Sequence, residues 1–317
     1  MFGLIGGIGT SLALGTPLLA EGIHYLFGVE KTVTLNLLII LALTVFFSIA
    51  LYFGLQKGLR LLSDWNLYLY FGLAVFVFLF GPTMFIVSMF SESVGVLLTN
   101  FFRMSLYTDP VGQSGFSEAW TLFYWGWWFS YAPFTGMFAA RISRGRTLKG
   151  LILGQLLGGT LGCWVAFTIF GNTGLYAEVN NLVPVLDILQ NEGAPAAIIA
   201  ILTSLPIGTI VMVIYLGVMA IFLATTVNSA AFTLADVASV NLERGEEPVR
   251  WYRVFWGLVL SGIAIILMYG EGLEALQTLS IITGFPLVFV MFLMIVSFFR
   301  WLKEDERNGV HDHLWKK

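Results

Sequence analysis

The apolar residues of this chain come in runs long enough to cross a bilayer, and that excludes almost every soluble fold. Eight such runs cover roughly residues 3–27, 34–55, 67–91, 119–140, 148–171, 206–232, 254–270 and 277–300. A helix needs about 20 predominantly apolar residues to span the hydrocarbon of a membrane. The runs lack the period of two that a transmembrane barrel requires. The sequence therefore predicts an all-α integral membrane protein with about eight transmembrane helices. Composition agrees, since only 11% of the residues are charged, against roughly 25% in soluble domains. A net charge of −3 offers no basic surface to nucleic acid. The single cysteine, Cys163, forbids an intrachain disulfide, and one cysteine with three histidines makes no protein-ligated metal centre. No cofactor is expected, and the expected surroundings are a lipid bilayer.

Lys and Arg set the orientation, because basic loops stay on the cytoplasmic side. Lys57 and Arg60 follow the second run, Arg141, Arg144, Arg146 and Lys149 the fourth, and Arg244, Arg250 and Arg253 the sixth. Arg300, Lys303, Arg307, Lys316 and Lys317 follow the eighth, which leaves only Lys31 and Arg103 for the opposite side. Both termini are thus expected in the cytoplasm of a multi-pass protein of the cytoplasmic (inner) membrane. The two long opposite-side loops, about 92–118 and 172–205, hold short amphipathic or re-entrant stretches such as 94–110. Such stretches suit the outer membrane surface. The tail after Trp301 is short and mixed in charge, and its His311 and His313 read as solvated rather than as a metal site.

Chemistry-bearing residues at membrane depth are scarce. Glu21 and His24 share one face near the outer end of the first run. They read either as an interfacial pair or as a gating or proton-coupling element, since ionisable groups inside a membrane are functional candidates. No nucleophile–base set, phosphate loop or metal-protease motif occurs, so an enzyme is not expected. Gly150, Gly154, Gly158 and Gly162 recur every fourth residue in the fifth run. That stripe of small residues lets another helix approach closely.

The stretch YWGWWFSYAPF, Tyr124 to Phe134, is the densest aromatic segment. On a helix of 3.6 residues per turn, Tyr124, Trp127, Trp128, Tyr131, Phe134 and Thr135 fall on one face about 120° wide. Trp125 and Phe129 fall opposite, toward lipid or another helix. The face reads either as membrane filler or an interfacial belt, or as a cavity wall. Its continuation to mid-span, beside a kinking Pro133, favours the wall. No acidic residue shares the face, so its indoles suit a cation that cannot donate hydrogen bonds: a quaternary ammonium. In the sixth run, Phe222, Thr225, Thr226, Asn228 and Ser229 place oxygens at mid-to-inner depth. Their hydroxyls either bond their own helix or form a hard-cation site.

The segment WTLFYWGWWFSYAPFTGMFAARISRGRT, residues 120–147, closely resembles the signature of the betaine/choline/carnitine transporter family. GLQKGLRLLSDWN (54–66), FRMSLYTDPVGQSGF (102–116) and TTVNS (225–229) fit the same family at the right spacing. The resemblance covers essentially the whole chain. It implies a leucine-transporter-like fold of two inverted five-helix repeats and transport of glycine betaine, choline or carnitine by alternating access. Coupling to Na⁺ or H⁺, and often a homotrimer, are implied with it. Residues 1–116 would then be the last three helices of the first repeat plus an outer surface helix. Residues 117–302 would be the complete second repeat, and 303–317 a short cytoplasmic tail. On this match the chain is expected to lack about four N-terminal spans. The resemblance implies that Trp127, Trp128 and Tyr131 face the trimethylammonium group. It also implies that Phe222, Thr225 and Thr226 form a sodium site. The neutral Asn66 takes a position where sodium-independent carnitine exchangers carry Arg, which leans toward cation-coupled uptake. Two alternatives remain: a sodium-independent exchanger, and a non-transporting subunit that needs a separate N-terminal half.

Overall fold

The computed structural model describes residues 2–53, 60–143, 145–240, 247–269 and 273–308. The basic residues Lys57, Arg144, Arg244, Lys316 and Lys317, and the histidines His311 and His313, lie outside these. The regular structure of the described residues is all helical, without a strand. In lipid each backbone N–H and C=O must be satisfied within its own segment, and a helix does this.

The order is α1 (Phe2–Phe27), α2 (Val33–Phe53), α3 (Arg60–Phe80), α4 (Thr83–Leu106), α5 (Phe123–Ile142) and α6 (Leu148–Ala166). Three short helices come next: α7 (Asn172–Val179), α8 (Val185–Asn191) and α9 (Ala194–Thr203). The last are α10 (Gly208–Ala238), α11 (Arg250–Tyr269) and α12 (Leu273–Arg307). A π-helical turn, Ser117–Leu122, leads into α5, and another, Phe167–Gly171, joins α6 to α7.

Among the described residues, six segments are long and apolar enough to cross a membrane, against the eight runs expected from sequence. They are Val33–Tyr52, Leu61–Phe80, Thr83–Leu106, Leu148–Val179, Gly208–Ala238 and Gln277–Arg307. The aromatic α5 is not among them, because indole and phenol side chains are amphipathic and lower its mean hydropathy.

The third run is divided where the sequence suggested continuity. Expected over 67–91, it breaks at Gly81–Pro82. Proline disfavours helical backbone in the residue before it and donates no N–H. The broken end is closed locally: Gly81 N–H donates to Val77 O at 2.9 Å, and Thr83 Oγ1 donates to Phe78 O at 2.6 Å. Beyond the break the chain forms one 24-residue helix, α4, rather than a short surface stretch over 94–110.

The hydrophobic centre forms where α10 meets α1, α2 and α11. Leu12, Phe47, Leu223, Leu234 and Leu260 are all at most 1% exposed there. A second cluster, with Val77, Ile199 and Met212, joins α3, α9 and α10. Close approach is made by glycines other than the expected stripe. A Cβ on Gly15 would lie 2.7 Å from Leu223 Cδ1, and one on Gly22 would collide with Leu216. Among the described residues α5 packs most extensively on α12. At their crossing a Cβ on Gly126 would lie 2.8 Å from Ile281 Cα, and one on Gly284 would strike Gly126 O. Gly154, Gly158 and Gly162, by contrast, have nothing within 4 Å of a Cβ position. Their helix, α6, buries no residue.

The loop between α4 and α5 is knotted around Asp109, which adopts a left-handed φ of 49°. Its carboxylate accepts from Tyr107 Oη at 2.8 Å, Gly112 N at 3.1 Å, Ser114 N at 3.0 Å and Ser114 Oγ at 2.6 Å. The Ser114 hydroxyl and N–H, followed by the Tyr107 hydroxyl, hold its carboxyl at a pKa of about 2.

Candidate functional site

The site is built where the start of α1 crosses α5. Gly7 allows the crossing, since a Cβ there would lie 2.9 Å from Tyr131 Cδ1. Its bare backbone also receives Trp127, whose Nε1–H donates to Gly7 O at 2.9 Å. Trp127 is therefore held by α1, and its indole cannot swing freely. The neighbouring rings are arranged around it. Trp127 meets Tyr131 edge-on at 5.6 Å, Trp128 lies 5.3 Å from Tyr131, and Trp127 stacks on buried Phe123 at 6.0 Å.

The face expected as one wall serves two recesses. At the N-terminal end of α5, Tyr124 and Trp128 line a shallow recess of about 470 Å³ with Trp120, Trp125 and Phe116. Trp125 thus joins Tyr124 and Trp128 rather than facing away from them. Trp120 and Thr121 reach it from the π-helical entry turn. In the C-terminal half of α5, Tyr131, Phe134 and Thr135 line a separate cavity of about 310 Å³. α10 lines its other side with Thr225, Thr226, Ser229 and Thr233, and α3 adds Ser63. Phe134 is 8% exposed and also belongs to the central hydrophobic cluster.

The structure brings Thr225 and Thr226 to this cavity but not Phe222, which is exposed and does not line it. Asn66 does not line it either. Its Oδ1 is buried without a hydrogen-bond partner, and the side chain at the cavity is Ser63, one turn earlier. Glu21 forms an ion pair with Lys31 at 3.0 Å, while His24 Nδ1 lies 2.8 Å from Val29 O. Glu21 is therefore seated in a tie between α1 and the following loop. Asn228 is fully buried with neither amide atom bonded.

Ser63 and Thr233 were missed by sequence reasoning. For Thr233 a signal existed in the spacing Thr225, Ser229, Thr233, which stacks three hydroxyls on one helix face. For Ser63 nothing local marked the residue, because only the crossing of α3 over α10 brings it to the cavity. The described residues hold no group of three or more His, Cys, Asp or Glu side chains fit for a metal ion.

Comparison with known proteins agrees with this architecture. The sequence profile of the BCCT, betaine/carnitine/choline family transporter, matches residues 1–307. An uncharacterized transporter of Escherichia coli, YeaV, is 35% identical over 305 residues, covering 95% of this chain and 63% of its own length. A carnitine transporter of Acinetobacter baumannii is 34% identical over 303 residues, covering 95% of this chain and 55% of its own length. The chain thus spans between half and two thirds of the length of these relatives. With a profile match over nearly its whole length and a helical, repeatedly membrane-crossing architecture, the chain belongs to the betaine/carnitine/choline transporter family.

Proposed function

We propose that the protein moves a trimethylammonium compound (glycine betaine, choline or carnitine) across the cytoplasmic membrane by alternating access, coupled to Na⁺. The observation that carries this reading is the double membership of Tyr131. Its ring touches Trp127 and Trp128, and it also lines the hydroxyl cavity with Thr225 and Thr226. Aromatic faces attract a quaternary ammonium that has no N–H to donate. Hydroxyl oxygens suit a hard cation such as Na⁺. One residue shared by the two sites is a physical route by which ion and substrate sense each other. The Acinetobacter relative, named a carnitine transporter, supports the substrate class. The arrangement as two inverted repeats, cytoplasmic termini and a homotrimer belong to the same reading.

The test is direct binding to the purified chain in detergent. Glycine betaine, choline and carnitine are titrated against intrinsic tryptophan fluorescence, with dimethylglycine as the analogue short of one methyl. Saturable quenching by at least one trimethylammonium ligand, strengthened by Na⁺ over K⁺, is the expected result. Equal response to dimethylglycine, or no response to any ligand, overturns the substrate assignment. Binding that ignores Na⁺ removes the coupling ion and leaves exchange as the mode.

A further inference from the structure

We infer that Thr225, Ser229 and Thr233 form a ladder of acceptor oxygens along which a monovalent cation passes between the Thr225–Thr226 site and the C-terminal end of α10. The inference rests on the Na⁺ coupling proposed above, and extends it from a site to a path. Each hydroxyl proton of the ladder has a defined destination. Thr225 Oγ1 donates to Phe222 O at 2.9 Å, Ser229 Oγ to Thr225 O at 2.9 Å, and Thr233 Oγ1 to Ser229 O at 2.8 Å. A hydroxyl has one proton and two lone pairs. With the proton committed to its own helix, each of these side chains has only lone pairs left for the cavity that all three line. Across from them, Thr135 on α5 is in the same state, its Oγ1 donating to Tyr131 O at 3.2 Å.

Such back-bonding in a helix is common and by itself only structural. Here it coincides with a cavity of about 310 Å³, so the freed acceptors have space before them that a partly dehydrated cation can occupy. The spacing fits stepwise passage, since residues four apart stand about 6 Å apart along a helix. No carboxylate lines the cavity among the described residues. Neutral oxygens bind an ion firmly enough to admit it and weakly enough to release it, which conduction requires. Arg253, whose guanidinium lies 5.9 Å from the ring centroid of Phe232 next to Thr233, is paired with Glu247 at 2.6 Å, which reduces its repulsion of an emerging ion.

A path residue differs from a binding residue in kinetics. It changes entry and exit rates together and leaves the equilibrium constant alone. The experiment is stopped-flow tryptophan fluorescence on the full purified chain, with Na⁺ alone as the probe, mixed in or diluted away. Wild type is compared with Thr233→Val and with the hydroxyl-retaining Thr233→Ser. We expect Thr233→Val to slow Na⁺ association and dissociation at least threefold. Kd should stay within twofold of wild type, and Thr233→Ser should recover the rates. Unchanged rates overturn the ladder and leave Na⁺ coupling standing. Slowing in Thr233→Ser as well, or a Kd shift beyond twofold, assigns Thr233 to packing or to the site and also overturns it. A wild-type chain that shows no Na⁺ response removes the ladder and the coupling together.

Discussion

Trp127 and Trp128 are adjacent in sequence, yet they meet different surroundings. Trp127 spends its indole N–H on Gly7 O and stacks on Phe123, whereas Trp128 is 54% exposed and presents a free face. Trp128→Ala should weaken trimethylammonium binding while the protein still folds. One cation–π contact of about 0.5–2 kcal/mol corresponds to roughly 2- to 30-fold in Kd. Titration of the purified variant by fluorescence or calorimetry checks this, and unchanged affinity would remove Trp128 from the cage. Trp127→Phe keeps a ring but loses the hydrogen bond to α1. A stability loss of about 1 kcal/mol is expected, read as a lower Tm in detergent. At the ion site, Thr226→Ala should raise the Na⁺ concentration needed for half-maximal response. The same Na⁺ titration on this variant measures it, and no shift would exclude Thr226 as a ligand. Glu21 is held by Lys31, and Asn66 lies off the hydroxyl cavity.

Helix contacts separate glycines that look alike in sequence. The regular stripe on α6 meets nothing from Gly154 to Gly162, while isolated Gly126 and Gly284 set the α5–α12 crossing. Gly126→Leu should cost about 1–3 kcal/mol through overpacking, whereas Gly158→Leu should fall within about 0.5 kcal/mol of wild type. Thermal unfolding of both variants in one detergent compares them, and equal Tm losses would contradict the crossing. The Asp109 knot makes a prediction in pH. Its carboxyl is depressed from 3.8 to about 2, so the charged form is the one the folded loop prefers. The contribution is complete above the ordinary carboxyl value and is lost as pH falls through about 2. Hydrogen exchange at the Gly112 and Ser114 amides should therefore accelerate, beyond its intrinsic pH dependence, between about pH 4 and pH 2. Asp109→Asn should abolish that additional acceleration.

Across the whole chain, charge asymmetry remains the best handle on orientation. Lys31→Cys and Lys303→Cys, each in a Cys163→Ser background, should be labelled by a membrane-impermeant thiol reagent from opposite sides of the membrane. Labelling of both from one side would overturn the positive-inside assignment. The sequence alone determined that the chain is helical and crosses a membrane repeatedly, because hydrocarbon leaves long apolar runs no other way to satisfy their backbone. It also determined the family, since residues 120–147 carry a long and specific pattern. The aromatic cluster was legible too, because Trp127, Trp128 and Tyr131 lie within one turn and a half of a single helix. What crosses what was decided only by tertiary structure. The splitting of one aromatic face into two recesses depends on how α1, α3, α10 and α12 lie against α5. So do the seating of Tyr131 on Gly7 and the arrival of Ser63 at the hydroxyl cavity. Periodicity specifies which residues share a face of one helix. Which neighbour that face meets depends on side chains far away in sequence, and no local pattern encodes them.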